Sequence, residues 1–437
     1  MTAELMTVLM FVGVAVGIFL GFPVAFTLAG MGLLFGYFGW NPNAVIGIMG
    51  MRAFDVMQNI TFIAIPLFVF MGTMLQASGV ADNAFNALAQ WLKNVRGGLG
   101  MATIILCVIF GSCVGVVGAS VTTMALLTLP PMYEAGYKRS LATGIVAAGG
   151  TLGILLPPSI MMVVMGPVAQ VSVIQLFAGT IIPGLMLGFA YGLFVFIAVR
   201  VKKDLIAPAD QIAEKPHVPL GKGLAAFIPM VLLILCVLGA IFFGIAAPTE
   251  AAAVGALGAI LIAAGYRKLT LPAISGSAMT TLRASSMVMF VITGANIFTA
   301  VFFGIGGPRV ISRTLADFGL GGAGTFAIVL LLVFTLGIFL DWVGVILIIV
   351  PVFVPILTDF GFNPLYVCII ILTLLQTSFI TPPFAYSIFY ILGVAPKGTT
   401  TQDIYKGVVP FIVIQLIVVG VLIALPEFVI WLPGVLV

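Results

Sequence analysis

An all-α protein that crosses the membrane many times is the fold class that the sequence predicts. Of its 437 residues, 62% are hydrophobic and only 7% are charged, whereas soluble domains contain about 25% charged residues. Apolar runs of about 20 residues, the length at which a helix spans a bilayer, recur along the whole chain. The runs follow the same order on both sides of one polar segment, which predicts two structural repeats.

Ten continuous apolar segments are predicted to be spanning helices. The first has no basic start and no clear cleavage site, so we interpret it as a helix and not as a removable signal. The ten segments are residues 5–21, 22–40, 56–77, 139–168, 173–200, 224–245, 249–266, 284–305, 363–394 and 405–432. A polar linker at 201–223 separates the fifth from the sixth. Two amphipathic segments, 80–98 and 308–319, are predicted to lie along the membrane surface.

Two further apolar segments, 98–133 and 322–357, are interrupted by Gly, Ser or Asp. Each is long enough for two half-depth helices, so we predict that each enters and leaves the membrane on one side as a re-entrant hairpin. Each half then crosses the membrane five times, and this odd number inverts the second half relative to the first. Such inverted repeats are a common plan of secondary transporters.

The distribution of basic residues predicts the orientation. If the linker is cytoplasmic and both termini are periplasmic, only Arg52, Arg309 and Arg313 lie outside, and the other 14 of the 17 Lys and Arg residues lie inside. The positive-inside rule favours this arrangement. The predicted parts are scaffold helices with a surface arm at 1–97, a hairpin with a broken helix at 98–172, a last span at 173–200, the linker at 201–223, and the corresponding three parts at 224–321, 322–398 and 399–437.

Helices that break at membrane depth predict binding sites. Irregular backbone is tolerated in the bilayer only where it is buried in protein or lines a wet cavity. The unpaired carbonyls at the end of one half-helix attract a cation, and the unpaired N–H groups at the start of the next attract an anion.

The stretch GSCVGVVGAS is predicted to be the tip of the first hairpin. We expect the first arm to end near Gly111 and Ser112. Gly115 and Gly118 permit the turn, because glycine adopts left-handed backbone conformations. Ser120 is expected to cap the returning arm. The alternative is a continuous, glycine-rich helix crossing, because small residues let membrane helices approach closely.

The next span is predicted to break where two prolines follow a glycine cluster, because proline cannot continue a helix from inside and suits the first turn of a new one. The alternative is a simple proline kink. The residues that we expect at this break are Gly149, Thr151, Gly153, Pro157, Pro158 and Ser159.

The second half contains the same two devices. Thr377 and Thr381 precede a second proline pair, Pro382 and Pro383, and Asp341 interrupts the second hairpin between Gly337 and Gly344. A carboxylate at membrane depth is a functional-site hypothesis by default. We expect Asp341 to coordinate a cation or to balance a cation bound with substrate; the alternative is a structural cap on a broken helix end.

Enzyme chemistry is not predicted. An intramembrane enzyme needs paired aspartates, a Ser–His dyad or clustered metal ligands, whereas the one histidine, His217, lies in the linker and Asp341 has no obvious acidic partner in the apolar runs. The net charge of +4 is too small to indicate a nucleic-acid partner. Two interrupted hairpins in inverted halves favour alternating access over a channel.

At these residues the chain resembles the large membrane subunit of tripartite ATP-independent periplasmic (TRAP) transporters, the DctM type. The resemblance extends over essentially the whole chain. The motifs that carry it are FGSCVGVVGASVTTMALLTLPPMYEAGYKRSLATGIVAAGGTLGILLPPSIMMVVMG, LGIFLDWVGVILIIVPVFVPI and TSFITPPFAYSIF. It implies an elevator fold of the ion transporter superfamily, in which the two hairpins and the two proline-broken helices slide through a scaffold of the other helices.

The resemblance further implies a sodium-driven importer in the bacterial inner membrane, surrounded by lipid and without an organic cofactor. It implies two partners, a periplasmic substrate-binding protein and a small four-helix DctQ-type membrane subunit. No such subunit precedes Met1, so we expect a separate chain. The substrate class is small organic acids, such as C4-dicarboxylates or sialic acids. A stand-alone divalent-anion/sodium symporter of related architecture is the alternative, and it needs no binding protein.

Site residues follow from the same resemblance. It implies two or more sodium ions, one of them bound by the first tip and break, and another by the second. For the first, the expected residues are Ser112, Gly115, Gly149, Thr151 and Gly153. For the second, they are Gly337, Asp341, Thr377 and Thr381. The residues expected to face the substrate are Ser112, Ser159, Asp341 and Thr381.

Overall fold

The computed structural model describes residues 2–206, 220–317, 319–382 and 385–436. Within these ranges the chain forms twenty α-helices and no β-strand. Eight helices among the described residues are long and apolar enough to cross a membrane. The predicted all-α, multi-pass class of protein is therefore confirmed.

The helices of the first half are α1 (Ala3–Phe19), α2 (Val24–Gly39), α3 (Pro42–Gln58), α4 (Ala64–Ser78), α5 (Val80–Trp91), α6 (Gly98–Val114), α7 (Val117–Glu134), α8 (Arg139–Thr151), α9 (Ile160–Ala169) and α10 (Val173–Val201). The helices of the second half are α11 (Leu220–Phe242), α12 (Pro248–Gly265), α13 (Leu271–Gly304), α14 (Gly307–Asp317), α15 (Gly321–Phe339), α16 (Trp342–Asp359), α17 (Pro364–Leu375), α18 (Tyr386–Val394), α19 (Thr401–Ala424) and α20 (Glu427–Leu436).

Helix α3 was not among the predicted helices, because its sequence is less apolar than that of the spans. Its start is nevertheless encoded locally. The Asn41 side chain accepts hydrogen bonds from the Asn43 and Ala44 N–H groups, and Pro42 occupies the first turn. Asparagine is a preferred N-cap and proline a preferred first residue, so polar start signals define this helix.

Two predicted boundaries were wrong. Helix α13 begins at Leu271, well before residue 284, because Thr270 caps it by accepting from the Ala273 N–H. The segment predicted as one span at 405–432 is divided into α19 and α20 at Leu425 and Pro426. Proline lacks the N–H group that would continue the helix.

Helices of the first half pack against helices of the second half, and the earlier helix of one half contacts the later helix of the other. Helix α2 packs on α13, while α4 packs on α12. The first contact is close because Gly294 lies against the Ala25 backbone, and a Cβ on Gly32 would stand 3.0 Å from the Phe298 Cα. Glycine permits this approach of two helical backbones.

The interrupted segments of the two halves contact each other in the same crossed order. Helix α8 packs on α19 and α17 packs on α10, while α7 contacts α18 and α16 contacts α9. At the α8–α19 crossing, Gly407 lies against the Ser140 carbonyl, and its Cβ would stand 3.0 Å from the Gly144 nitrogen. The interrupted segments of the two halves therefore contact each other in these four helix pairs.

Candidate functional site: two hairpin tips and two helix breaks

The first hairpin consists of α6 and α7, and its turn lies within the predicted stretch GSCVGVVGAS, although the first arm ends later than expected. Helix α6 continues through Gly111 and Ser112 and ends at Val114. The turn is made by Gly115, whose φ of +62° lies in the left-handed region, and by Val116 in an extended conformation. Gly115 was thus correctly predicted to permit the turn, whereas the helix end at Gly111 and Ser112 was wrong.

The helix continues past Gly111 for two reasons. The Ser112 hydroxyl donates to the Val108 carbonyl at 2.7 Å, within its own helix. Gly111 faces the break of the next helix, where a Cβ on Gly111 would stand 2.7 Å from the Gly153 Cα. Gly111 is therefore a close-packing residue, as the alternative of a glycine-rich crossing proposed.

Two other residues of the predicted tip lie inside α7. Ser120 does not cap this helix, because α7 begins after Val116 with no side-chain cap. The Ser120 side chain is 2% exposed, and its hydroxyl has no hydrogen-bond partner in the described chain. Gly118 makes room for Tyr390 of α18, since a Cβ there would stand 2.8 Å from the Tyr390 Cζ.

Both hairpins have longer arms than the predicted half-depth helices. The arms contain 17 and 18 residues in the first hairpin and 19 and 18 in the second. At 1.5 Å per residue, such arms approach the thickness of the hydrocarbon core. Each tip nevertheless stops beside a helix break, the first at Gly153 and the second at Ser378.

The first helix break occupies residues 152–159. Helix α8 ends at Thr151, a 3₁₀ turn covers Leu152–Ile154, and α9 begins at Ile160. Cβ atoms at Gly149 and Gly150 would crowd the hairpin arms at Cys107 (3.0 Å) and Val121 (2.8 Å). These glycines therefore let both arms approach the end of α8.

The predicted start of the second half-helix is shifted at this break. Pro157 and Pro158 precede α9 instead of forming its first turn. Ser159 is the N-cap, and its hydroxyl accepts from the Met161 N–H at 3.2 Å while donating to the Ile154 carbonyl. A serine at the N-cap satisfies the Met161 N–H group with its hydroxyl, whereas a proline at the N-cap has no side-chain acceptor. This difference explains why the helix begins after the two prolines.

The second break begins after α17. A 3₁₀ turn covers Gln376–Phe379, Thr381 and Pro382 lie in an irregular segment, and α18 begins at Tyr386. Pro383 lies outside the described residues. The structure therefore contains an interruption where the sequence predicts it.

Hydroxyl groups surround both breaks, and each donates its proton to a local carbonyl. Thr377 donates to Leu374 at 2.7 Å and Thr381 donates to Thr377 at 2.7 Å. Thr151 donates in the same way to Ala148 at 2.9 Å. A hydroxyl that has given away its proton presents oxygen lone pairs, which are the atoms that a hard cation binds.

The second hairpin breaks at Leu340 and Asp341, between α15 and α16. Asp341 is half-buried and occupies the N-cap of α16. Its carboxylate makes no capping hydrogen bond but lies near the Trp342 and Val343 N–H groups. This position suits the alternative role of a structural cap on a broken helix end.

Two tyrosines that the sequence analysis did not single out adjoin this carboxylate. The Tyr386 and Tyr390 phenols of α18 lie within electrostatic range of Asp341. Tyr390 also contacts Gly118, so one side chain links the second tip to the first hairpin. Both tyrosines are about two-fifths exposed, at 38% and 41%, and they line the accessible side of the site.

Gln376 is the residue of the site that sequence reasoning missed. Its side chain is 1% exposed. With its amide oriented to satisfy both neighbours, Nε2 donates to the Thr151 carbonyl at 2.9 Å and Oε1 accepts from the Leu155 N–H at 3.0 Å. The available signal was a lone amide within the apolar run LTLLQTSFI.

Two cavities lie away from the breaks. One, of about 490 Å³, is mostly apolar and is bounded by Phe326, Phe362 and Ile430. The other, of about 470 Å³, contains an ion pair between Arg52 and Asp55 at 3.2 Å. Neither is lined by a predicted site residue, so the candidate site is defined by its backbone and hydroxyl geometry.

The base of the first hairpin is held by polar contacts that we call the basal clamp, formed by Arg96, Lys138, Arg139, Asp204 and Gly398. Lys138 pairs with Asp204, Arg139 donates to the Gly398 carbonyl, and Arg96 donates to the Lys203 carbonyl at 2.9 Å. The hydrogen bond from Lys138 lowers the pKa of the Asp204 carboxyl. The clamp joins the first hairpin to the start of the linker and to the loop before α19.

These features define a multi-pass α-helical membrane protein whose two halves meet at paired helix breaks. The chain matches the crystal structure of the Alcanivorax borkumensis YdaH transporter with a TM-score of 0.66 and 12% identity, covering 99% of this chain and 100% of that one. At this identity the likeness establishes a shared fold.

Sequence comparison gives the family. The model of the tripartite ATP-independent periplasmic transporter, DctM component, matches residues 11–428, so the chain belongs to this family of transporter components. It is 30% identical over 401 residues to the C4-dicarboxylate TRAP transporter large permease protein DctM of Pseudomonas aeruginosa, covering 90% of this chain and 91% of that protein. It is 29% identical over 409 residues to the isethionate TRAP transporter permease protein DctMQ of Oleidesulfovibrio alaskensis, covering 93% and 62%. The resemblance seen in the motifs is confirmed.

Proposed function

We propose that this chain is the large membrane subunit of a sodium-coupled importer of a small organic anion. The observation that carries the proposal is the meeting of each hairpin tip with a helix break: Gly111 with Gly153, and Gly337 with Ser378. Helix ends of both polarities then converge beside hydroxyl oxygens, which is an arrangement that holds cations and an anion together.

Sodium is assigned to the two tip-and-break junctions. At the first junction we propose Ser112, Gly115, Gly149, Thr151 and Gly153. The unpartnered, buried Ser120 hydroxyl beside Gly111 supports a further ligand there, because a buried hydroxyl without a partner is costly unless something binds it. At the second junction we propose Gly337, Asp341, Thr377 and Thr381.

The substrate is proposed to bind between the two junctions. Asp341 and Thr381 are partly exposed, and Ser112 is 7% exposed. Ser159 is fully buried, and its hydroxyl is already used within the break, so its proposed role is to position the start of α9. Relatives named for a C4-dicarboxylate and for isethionate support a small organic anion as the substrate class.

An elevator movement is proposed for the two hairpins and the two broken helices. The reciprocal contacts between halves support an inverted repeat, with α10 and α19 moving together with the broken helices against which they pack. The moving part then extends beyond the sequence-based boundaries at 172 and 398. The scaffold comprises α1 to α4 and α11 to α13, and it touches the tips where Gly72 faces Val114 and Gly344 faces Val24.

The partners and the location belong to the same proposal. We expect a small DctQ-type membrane subunit, because a DctMQ protein carries a chain similar to this one over 62% of its length, and we expect a periplasmic binding protein that delivers substrate. The basal clamp gathers Arg96, Lys138 and Arg139 on one side of the molecule. This clustering supports a cytoplasmic linker and periplasmic termini in the inner membrane.

Uptake into proteoliposomes tests this function. The chain is reconstituted with its small subunit, and the neighbouring binding protein loaded with its own ligand is added outside. We expect uptake only under an inward sodium gradient and only with the binding protein. Equal uptake in potassium buffer would overturn sodium coupling, and full uptake without the binding protein would favour the stand-alone symporter.

A further inference from the structure

The buried amide of Gln376 occupies an unusual place relative to the first helix break. In a continuous helix, the Leu155 N–H would donate to the Thr151 carbonyl four residues earlier. Here Nε2 of Gln376 binds that carbonyl at 2.9 Å and Oε1 binds that N–H at 3.0 Å. The side chain is inserted into the one hydrogen bond that the break removes.

The insertion comes from the other half of the chain. Gln376 is the first residue of the 3₁₀ turn that interrupts the second broken helix. The corresponding first residue of the turn in the first half is Leu152, whose side chain cannot form such a bond. Among the described residues, the hydrogen-bonding amide thus comes from the second break to the first, and Leu152 does not provide one in return.

The backbone at the first break also forms a hydrogen bond of its own, which draws the two sides of the gap together. The Leu155 N–H also reaches the Leu152 carbonyl at 3.1 Å, a 3₁₀-type bond that tightens the turn. The Thr151 carbonyl also precedes this 3₁₀ turn, so Gln376 adds a second partner to a carbonyl at membrane depth, where hydrogen bonds to backbone groups are strongly favoured. Insertion of a side chain into the helical ladder is a recognised cause of a sharp helix break.

We propose that Gln376 is a positioning residue that holds the first break open and thereby sets sodium affinity at the first junction. This inference rests on the proposed sodium coupling. Because the wedge belongs to the second break, movement of the second break on ion binding changes the geometry of the first. In this role Gln376 acts on sodium through the backbone of the first break and not as a ligand.

The test measures sodium binding without substrate and without the periplasmic binding protein. The full chain, purified with its small subunit, is unfolded thermally while sodium replaces potassium at constant ionic strength. The midpoint shift gives the half-saturating sodium concentration. We expect Gln376→Met to raise that concentration about tenfold, the effect of one net hydrogen bond, so that the same stabilisation requires about ten times more sodium.

Gln415 provides the matched control. It is equally buried, and its amide donates to the Thr373 carbonyl at 3.0 Å and accepts from the Tyr191 hydroxyl at 3.2 Å, so it binds the helix ahead of the second break without entering the gap of either break. Gln415→Met therefore removes a comparable buried amide. We expect it to lower the unfolding temperature in both salts and to leave the half-saturating sodium concentration unchanged.

Gln376→Glu provides a second measurement, the pH dependence of sodium affinity, which would not change if Gln376 had only a structural role. Its protonated carboxyl can donate to the Thr151 carbonyl and accept from the Leu155 N–H, whereas its carboxylate can only accept. We expect wild-type sodium affinity in acidic buffer and the Gln376→Met affinity in alkaline buffer. If Gln376→Met does not fold, this pH series decides the question by itself.

The outcomes separate the two proposals. A wild-type chain that is not stabilised by sodium over potassium would overturn sodium coupling, and this inference with it. A sodium-responsive wild type with unchanged half-saturation in Gln376→Met, or with no pH dependence in Gln376→Glu, would overturn the wedge and leave sodium coupling standing.

Discussion

At the scale of single residues, the role of a small or polar residue at the breaks depends on the partners that it meets on other helices. Gly115, Thr377 and Asp341 could be found because small, hydroxyl and acidic residues are rare inside apolar runs. The helix end at Gly111 could not, because it depends on whether Ser112 bonds its own helix and on Gly153 of another helix. Gln376 was missed because its partners are about 220 residues away in the chain.

Asp341 is the first residue-scale prediction. If its carboxylate balances a bound cation, Asp341→Asn should reduce sodium-driven uptake at least about tenfold, because the neutral amide loses the charge and keeps the shape. The unfolding temperature in potassium should stay close to that of wild type. Uptake and thermal unfolding of the same preparation check this, with Asp359→Asn at the end of α16 as the control. Undiminished uptake would assign Asp341 to helix capping alone.

Gly118 is the second residue-scale prediction. Its added Cβ would stand 2.8 Å from Cζ and 3.0 Å from Oη of Tyr390, the far end of a side chain that can swing away. Gly118→Ala should therefore change the free energy of unfolding by less than about 1 kcal/mol and reduce uptake as much as Tyr390→Ala does.

The combined variant decides whether Gly118 acts through Tyr390. Residues that act through one contact are non-additive, so Gly118→Ala with Tyr390→Ala should transport no worse than either single variant. Gly393→Ala is the control, because Gly393 lies on α18 with open space around it. Additive losses in the combined variant would place the effect of Gly118 elsewhere.

At the scale of helices, apolar length predicted most spans, and its failures have physical causes. Helix α3 is set by the Asn41 cap and not by hydropathy. The proline pair at Pro157 precedes α9 because the Ser159 hydroxyl caps that helix. The packing of the helices could not be predicted, because a glycine indicates a close contact but not which helix it contacts. Gly144 and Gly407, which meet across the two halves, are an example.

The α8–α19 crossing gives the prediction for this scale. Gly407 lies against the Ser140 carbonyl, and its Cβ would also stand 3.0 Å from the Gly144 nitrogen, so Gly407→Ala must push two backbones apart. We expect a loss of about 1–3 kcal/mol in the free energy of unfolding. Gly420→Ala on the same helix meets nothing within 4 Å and should be neutral or stabilising by up to ~1 kcal/mol. Thermal unfolding in detergent compares them, and equal stability of the two variants would contradict the crossing.

At the scale of the whole molecule, the scaffold meets the two hairpins mainly where α4 packs on α6 and α13 packs on α16. Both hairpin tips touch the scaffold, the first where Gly72 faces Val114 and the second where Gly344 faces Val24. The two groups of helices are joined by connecting segments of the chain, such as the arm α5 between α4 and α6. An elevator movement therefore requires the tip contacts to break, whereas a rigid molecule would keep them.

Cross-linking of the second tip distinguishes the two. A Cβ on Gly344 would stand 3.1 Å from the Val24 Cγ1, a separation at which paired cysteines can form a disulfide. Val24→Cys with Gly344→Cys, in a background where the exposed Cys236 is replaced by Ser, should lose uptake on oxidation and regain it on reduction. Each single variant, oxidised in the same way, is the control. Because the bond would hold the tip against α2 throughout the cycle, full uptake by the cross-linked protein would exclude sliding of the second hairpin past the scaffold.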